Sequence, residues 1–83
     1  MIYTVYIIQS EKDGSYYKGY TSNLERRLNE HNTGRGRYTS TKYPWKLVYK
    51  KIFYSKREAL IFERKIKNYN STYLKKFIER RAD

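Results

Sequence analysis

The chain alternates short apolar runs with polar, turn-forming stretches. Ile2 to Gln9 is apolar or aromatic at nearly every position, which predicts a strand covered on both faces and therefore central in its sheet. Asp13-Gly14 lies between this run and the aromatic run Tyr16 to Tyr20, so the two should form a hairpin. Thr21-Ser22-Asn23 precedes Leu24, and Ser22 with Glu25 has the form of a capping box, which predicts a helix that Gly34 stops. Gly34 to Pro44 reads as a polar, basic loop, and Trp45 to Phe53 as a third strand. Ser55 and Glu58 repeat the capping box ahead of a helix ending near Lys67. Asn70-Ser71 opens a last helix with Leu74, Phe77 and Ile78 at helical spacing, and Arg80 to Asp83 should fray.

The order strand, strand, helix, strand, helix, helix predicts an α/β (α+β) fold, a three-stranded antiparallel sheet packed between helices. At 83 residues there is room for one core, and no linker, repeat or low-complexity tract divides residues 1–83. A single domain is expected.

Charge changes the picture more than size does. Nineteen Lys and Arg against 8 Asp and Glu give a net charge of +11, a self-repulsion that a polyanion would relieve. Nucleic acid is the first partner to consider, since neutralised phosphates release condensed counterions. With no Cys, disulfides, thiolate ligands and a Cys nucleophile are excluded, which suits a reducing, cytoplasmic compartment. Met1 to Ile8 lacks the basic lead of a signal peptide, and no apolar run approaches the length of a membrane span.

Several polar residues fall on faces that should be apolar. Rotation by about 100° per residue from Ala59 puts Phe62 near −60°, Ile66 near −20° and Glu63 near +40°. Glu63 therefore interrupts an apolar arc, where a carboxylate needs a cation or an open cleft. An ion pair with Lys67, four residues on, is the plain explanation; a magnesium ligand is the sharper one. In the first helix, Leu24, Arg27, Leu28 and His31 share one arc, so Arg27 and His31 should face the sheet. Taken singly, such an arginine snorkels and such a histidine packs. With Glu63 and the strand phenols Tyr6 and Tyr17, they offer what phosphodiester hydrolysis needs: proton handling, phosphate stabilisation and a metal ligand. Gly19, the glycine of the second strand, should let another group approach closely.

Thr4-Val5-Tyr6-Ile7-Ile8, then Tyr17-Lys18-Gly19-Tyr20-Thr21, then Asn23 through His31, resembles the GIY-YIG nuclease pattern over nearly the whole chain. Pro44-Trp45-Lys46-Leu47-Val48-Tyr49 and Glu58 through Lys67 resemble the small stand-alone branch of that superfamily, similar to the nuclease domain of the excision-repair excinuclease C subunit. Thr4 replaces the first glycine of the namesake motif and Lys18 the second isoleucine, and neither change removes a reacting group. The resemblance implies a metal-dependent endonuclease acting on structured or damaged DNA. In it, Glu63 would hold Mg²⁺ or Mn²⁺ and Arg27 would stabilise the phosphate. Tyr6 or Tyr17 would orient or deprotonate water, and His31 would assist. Lys18 and Arg35 would bind flanking phosphates. Many relatives carry a second domain that selects the target, a task that here would fall to a protein partner.

A competing reading is a noncatalytic nucleic-acid-binding module that keeps the fold and the basic surface. The two part at Glu63, which a binding module does not need as an acid.

Overall fold

A computed structural model of the protein describes residues 1–36 and 38–81. Its elements, in order, are β1 (Tyr3–Ser10), β2 (Tyr16–Thr21), α1 (Leu24–Asn32), a 3₁₀ turn (Thr39–Thr41), β3 (Trp45–Phe53), α2 (Lys56–Lys67) and α3 (Ser71–Arg81). The sheet is antiparallel with strand order β2-β1-β3, so β1 is central. Val5, Tyr6, Ile7 and Ile8 are buried there, each such side chain contributing roughly 1.5–3 kcal/mol.

Strand alternation divides the interior in two. Val5 and Ile7 meet Ala59 and Ile66 of α2 and Leu74 of α3 on one face. Tyr6 and Ile8 meet Trp45, Tyr17, Leu24 and Leu28 on the other. The expected sheet between helices is thus realised, with α1 opposite α2 and α3. Between Ile7 and Ile8 the register to β3 shifts: Ile7 pairs Tyr49 and Ile8 pairs Leu47, leaving Val48 as the extra residue of a bulge. Val48 and Tyr49 both reach the α2 side as a result.

The helix caps follow from local polar residues, with one correction. Asn23, not Ser22, caps α1, its side chain accepting from the Arg26 amide at 3.0 Å. Thr21, Ser22 and Asn23 are all able caps, and only the one adjoining Leu24 can meet that amide. Ser55 caps α2 as expected, accepting from the Glu58 amide. Asn70 caps α3 by accepting from Tyr73. The fraying expected from Arg80 is not seen as far as Arg81, where α3 ends; Ala82 and Asp83 lie outside the described residues.

The loop after α1 is held down by the hairpin. Lys42 pairs with Asp13 at 2.9 Å, and Ser10 Oγ donates to the Lys42 carbonyl at 2.6 Å. Asn32 brackets Trp45, donating to its carbonyl and accepting from its amide. These ties fix the 3₁₀ turn over the α1 face. No helix among the described residues is long and apolar enough to cross a membrane.

Candidate active site

The centre of the site is the buried phenol of Tyr6, carried by β1 toward the α1 face. Its partner across β2 is Gly19, and a Cβ there would lie 2.7 Å from the Tyr6 oxygen. Gly19 therefore makes the space in which the phenol sits. From α1, His31 brings Nε2 to 2.9 Å from the Tyr6 oxygen, and its Nδ1 lies 2.8 Å from Thr39 Oγ1. Gly36 is needed there too, since a Cβ on it would overlap Thr39 Oγ1 and come within 3.1 Å of His31 Nδ1.

Arg27, one helical turn before His31, completes the cluster. Its guanidinium donates to Glu30 at 2.9 Å and also interacts with the phenols of Tyr6 and Tyr17. A guanidinium only donates, so with the Arg27 charge acting on the phenol the complementary tautomer is the one in which Tyr6 donates to His31 Nε2. Nδ1 then carries the imidazole hydrogen and donates to Thr39. This assignment makes every bond in the row complementary.

Burial sets the charges. It pushes the Tyr6 phenol up to about 12, against a smaller lowering by Arg27. His31 is pushed down to about 4, first by burial and then by the charge of Arg27. Both groups are neutral at pH 7 and share one proton-bearing bond.

Tyr17, Arg27, His31 and Thr39 open onto a hollow of about 390 Å³ that Gly36 and Tyr38 also line. Tyr38 stacks on Tyr17 with ring centroids 5.8 Å apart, and Lys42 stands 5.3 Å above the Tyr38 ring. Glu63 does not line this hollow. It is buried on α2, 3.5 Å from Lys67, so the ion pair expected from their spacing is present. Its charge is nevertheless felt at Tyr6, where it is the weakest of the influences raising the phenol. Among the described residues the ion pair of Glu63 is with Lys67, and Glu63 is not among the side chains that line the hollow.

Lys18 stands apart from the cluster. Strand alternation turns Lys18 to the α2 side, where its ammonium donates to the carbonyls of Ile66 and Tyr69 at 3.4 Å. It secures the end of α2, and burial there lowers its pKa. Arg35 is exposed just past α1, its amide bonded to the Glu30 carbonyl. Thr39, Gly36 and Tyr38 were not anticipated as parts of the site. Their loop has no periodicity to read, and only the fold brings it over His31.

The donor set limits what metal could be held. Among the described residues no three His, Cys, Asp or Glu side chains gather into a metal cluster. One carboxylate fits magnesium or manganese in the mode where waters and substrate phosphates fill the remaining positions, not an all-protein cage.

Comparison with known proteins agrees with this arrangement of motifs. Residues 2–77 match the family described as the GIY-YIG catalytic domain. A UPF0213 protein of Staphylococcus haemolyticus is 46% identical over 78 residues, 93% of this chain and 94% of the relative. A UPF0213 protein of Streptococcus agalactiae is 42% identical over 76 residues, covering 86% and 85%. The solution NMR structure of a UPF0213 protein from Bacillus halodurans superimposes with a TM-score of 0.66 at 34% identity, covering 99% of this chain and 87% of that one.

Proposed function

The chain belongs to the GIY-YIG catalytic-domain family, and from that membership and the geometry around Tyr6 we propose that it hydrolyses phosphodiester bonds in DNA with a divalent cation. The observation that carries this reading is the row Arg27, Tyr6, His31, Thr39, which joins a phosphate-binding cation to a proton path.

Each residue has a separable task. Arg27 borders the hollow and stabilises charge developing on the phosphate oxygens. Tyr17, on the hollow wall, orients the attacking water. The water oxygen bonds to phosphorus as the P–O bond to the leaving sugar oxygen breaks; the water's proton passes to the Tyr6 oxygen while Tyr6 gives its own to His31 Nε2, and the leaving oxygen takes a proton from solvent. The phenolate that burial opposes then never accumulates. His31 is a weak acceptor while Arg27 is unpaired with substrate, because the guanidinium charge depresses it. A bound phosphate offsets that charge and makes the imidazole more basic. Thr39 holds the ring in orientation through its bond to Nδ1.

Glu63 would hold the cation, Mg²⁺ or Mn²⁺, which supplies charge neutralisation and acidifies water when bound. The Lys67 partner is half-exposed and can give way. A protein partner would select the target.

The test is incubation of the purified chain with branched, nicked and single-stranded substrates and Mg²⁺ or Mn²⁺, beside Glu63→Gln and Arg27→Ala. Wild type should cut at least one substrate, and each variant should lose about 100-fold or more. No cleavage across the panel, or cleavage that persists at the wild-type rate in both variants, would return the chain to the noncatalytic binding reading.

A further inference from the structure

A second concavity lies on the other side of the sheet, between β3, α2 and α3, with a volume of about 380 Å³. That is within the roughly 300–1,000 Å³ typical of sites for small ligands. Its floor is aromatic: Tyr49 packs at 5.0 Å from Phe77 and at 6.4 Å from Phe62, measured between ring centroids. One wall is the pair Tyr69 and Tyr73, edge to face at 4.5 Å. Tyr73 is 52% exposed and lines the concavity, so part of this aromatic residue is open to solvent there.

The rim is basic. Lys51, Lys65, Lys76 and Arg80 line the concavity from three elements, and no carboxylate does among the described residues. Spacing on α3 explains the arrangement, since Tyr73, Lys76, Phe77 and Arg80 recur at intervals of three and four and share one helix face. Lys51 is set by the rings themselves, its ammonium 5.1 Å above Phe62 and 5.5 Å above Phe53. A solvated helix face needs neither the concavity nor cations drawn from a strand and two helices. Phosphates beside an exposed ring are the chemistry that fits both.

We infer that this concavity binds single-stranded nucleic acid, with a base stacked on Tyr73 and phosphates on Lys51, Lys65, Lys76 and Arg80. The sheet separates it from the hollow around Arg27, so one strand end can be held here while the other face is free. The inference goes beyond the hydrolase reading and does not depend on cleavage.

The experiment is binding of a short labelled oligothymidylate to the full chain, by anisotropy over a salt series and by amide shift mapping. Tyr73→Ala should weaken binding about five-fold or more, while Tyr73→Phe, which keeps the ring, should bind like wild type. A Lys65→Gln, Lys76→Gln pair should reduce the slope of log affinity against log salt by about 1.4, near 0.7 for each lost phosphate contact. A control pair in the first turn of α2, Lys56→Gln with Arg57→Gln, should leave the slope unchanged. Shifted amides should include Lys51 and the Tyr69 to Arg80 strip. The inference is overturned if Tyr73→Ala binds like wild type, or if the control pair matches the Lys65 and Lys76 pair, either of which means diffuse attraction. Shifts confined to α1 and the 3₁₀ turn would overturn it equally, by placing the strand in the other hollow.

Discussion

The phenol oxygen of Tyr6 stands 2.9 Å from Nε2 of His31, joining the central strand to the first helix through a buried hydrogen bond. With the phenol pushed up to about 12 and the imidazole down to about 4, the bond links two neutral groups throughout the physiological range. Proton transfer along it in the free protein is strongly uphill.

Burial of neutral His31 makes stability depend on pH in a defined window. The unfolded histidine takes a proton near 6.5 and the folded one only near 4, so the unfolded state binds more protons between those values. Stability should therefore rise with pH from about 4 to about 6.5 and fall on acidification, by on the order of 1–3 kcal/mol. Urea midpoints for wild type and His31→Gln at pH 7 and pH 4.5 check this. The variant should lose less on acidification.

Arg27 acts on both partners of that bond, and in opposite senses for proton transfer. Its charge lowers His31 and lowers Tyr6. In Arg27→Ala, both pKa values should rise, His31 by NMR titration and Tyr6 by ultraviolet titration of the phenols. A His31 value unchanged in the variant would mean that burial alone sets it.

Gly19→Ala should be costly although alanine is small. The new Cβ would meet Tyr6 oxygen at 2.7 Å and the adjoining ring carbon at 2.9 Å, both too close to keep. Overpacking of this kind costs about 1–3 kcal/mol. At about 4–8 °C per kcal/mol for a domain of this size, thermal unfolding should show it clearly. Tyr6 should also lose its bond to His31, seen as a rise in the His31 pKa.

The Glu63 to Lys67 pair competes with cation binding if Glu63 is a ligand. Lys67→Ala removes a half-exposed partner worth about 0.2–1 kcal/mol. The concentration of Mg²⁺ giving half-maximal cleavage should then drop, up to about five-fold. An unchanged requirement would leave Glu63 as a structural acid.

The strands and helices were legible because their signals are local. Apolar Ile2 to Gln9 marked a central strand, and Ser55 with Glu58 marked the start of α2, both as found. Helical rotation also placed Arg27 and His31 toward the sheet, since a face is fixed by spacing alone. What held His31 in place was not legible. Thr39 and Gly36 sit in a loop without period, and their contact depends on Lys42, Ser10 and Asn32 tying that loop down. Nor was the hold of Lys18 on the end of α2 legible, since those carbonyls reach it only in the packed structure. Glu63 illustrates the limit from the other side. Its spacing to Lys67 was readable, but its influence on Tyr6 crosses from one helix to a strand.

The most direct measurement is single-turnover cleavage of a DNA substrate by wild type and Tyr6→Phe at saturating Mg²⁺. The ring and its packing remain in the variant, and only the oxygen between Arg27 and His31 is lost. Cleavage slowed by about 100-fold or more, with DNA affinity unchanged, is the result predicted for a phenol that handles the water proton. Cleavage at the wild-type rate would contradict it.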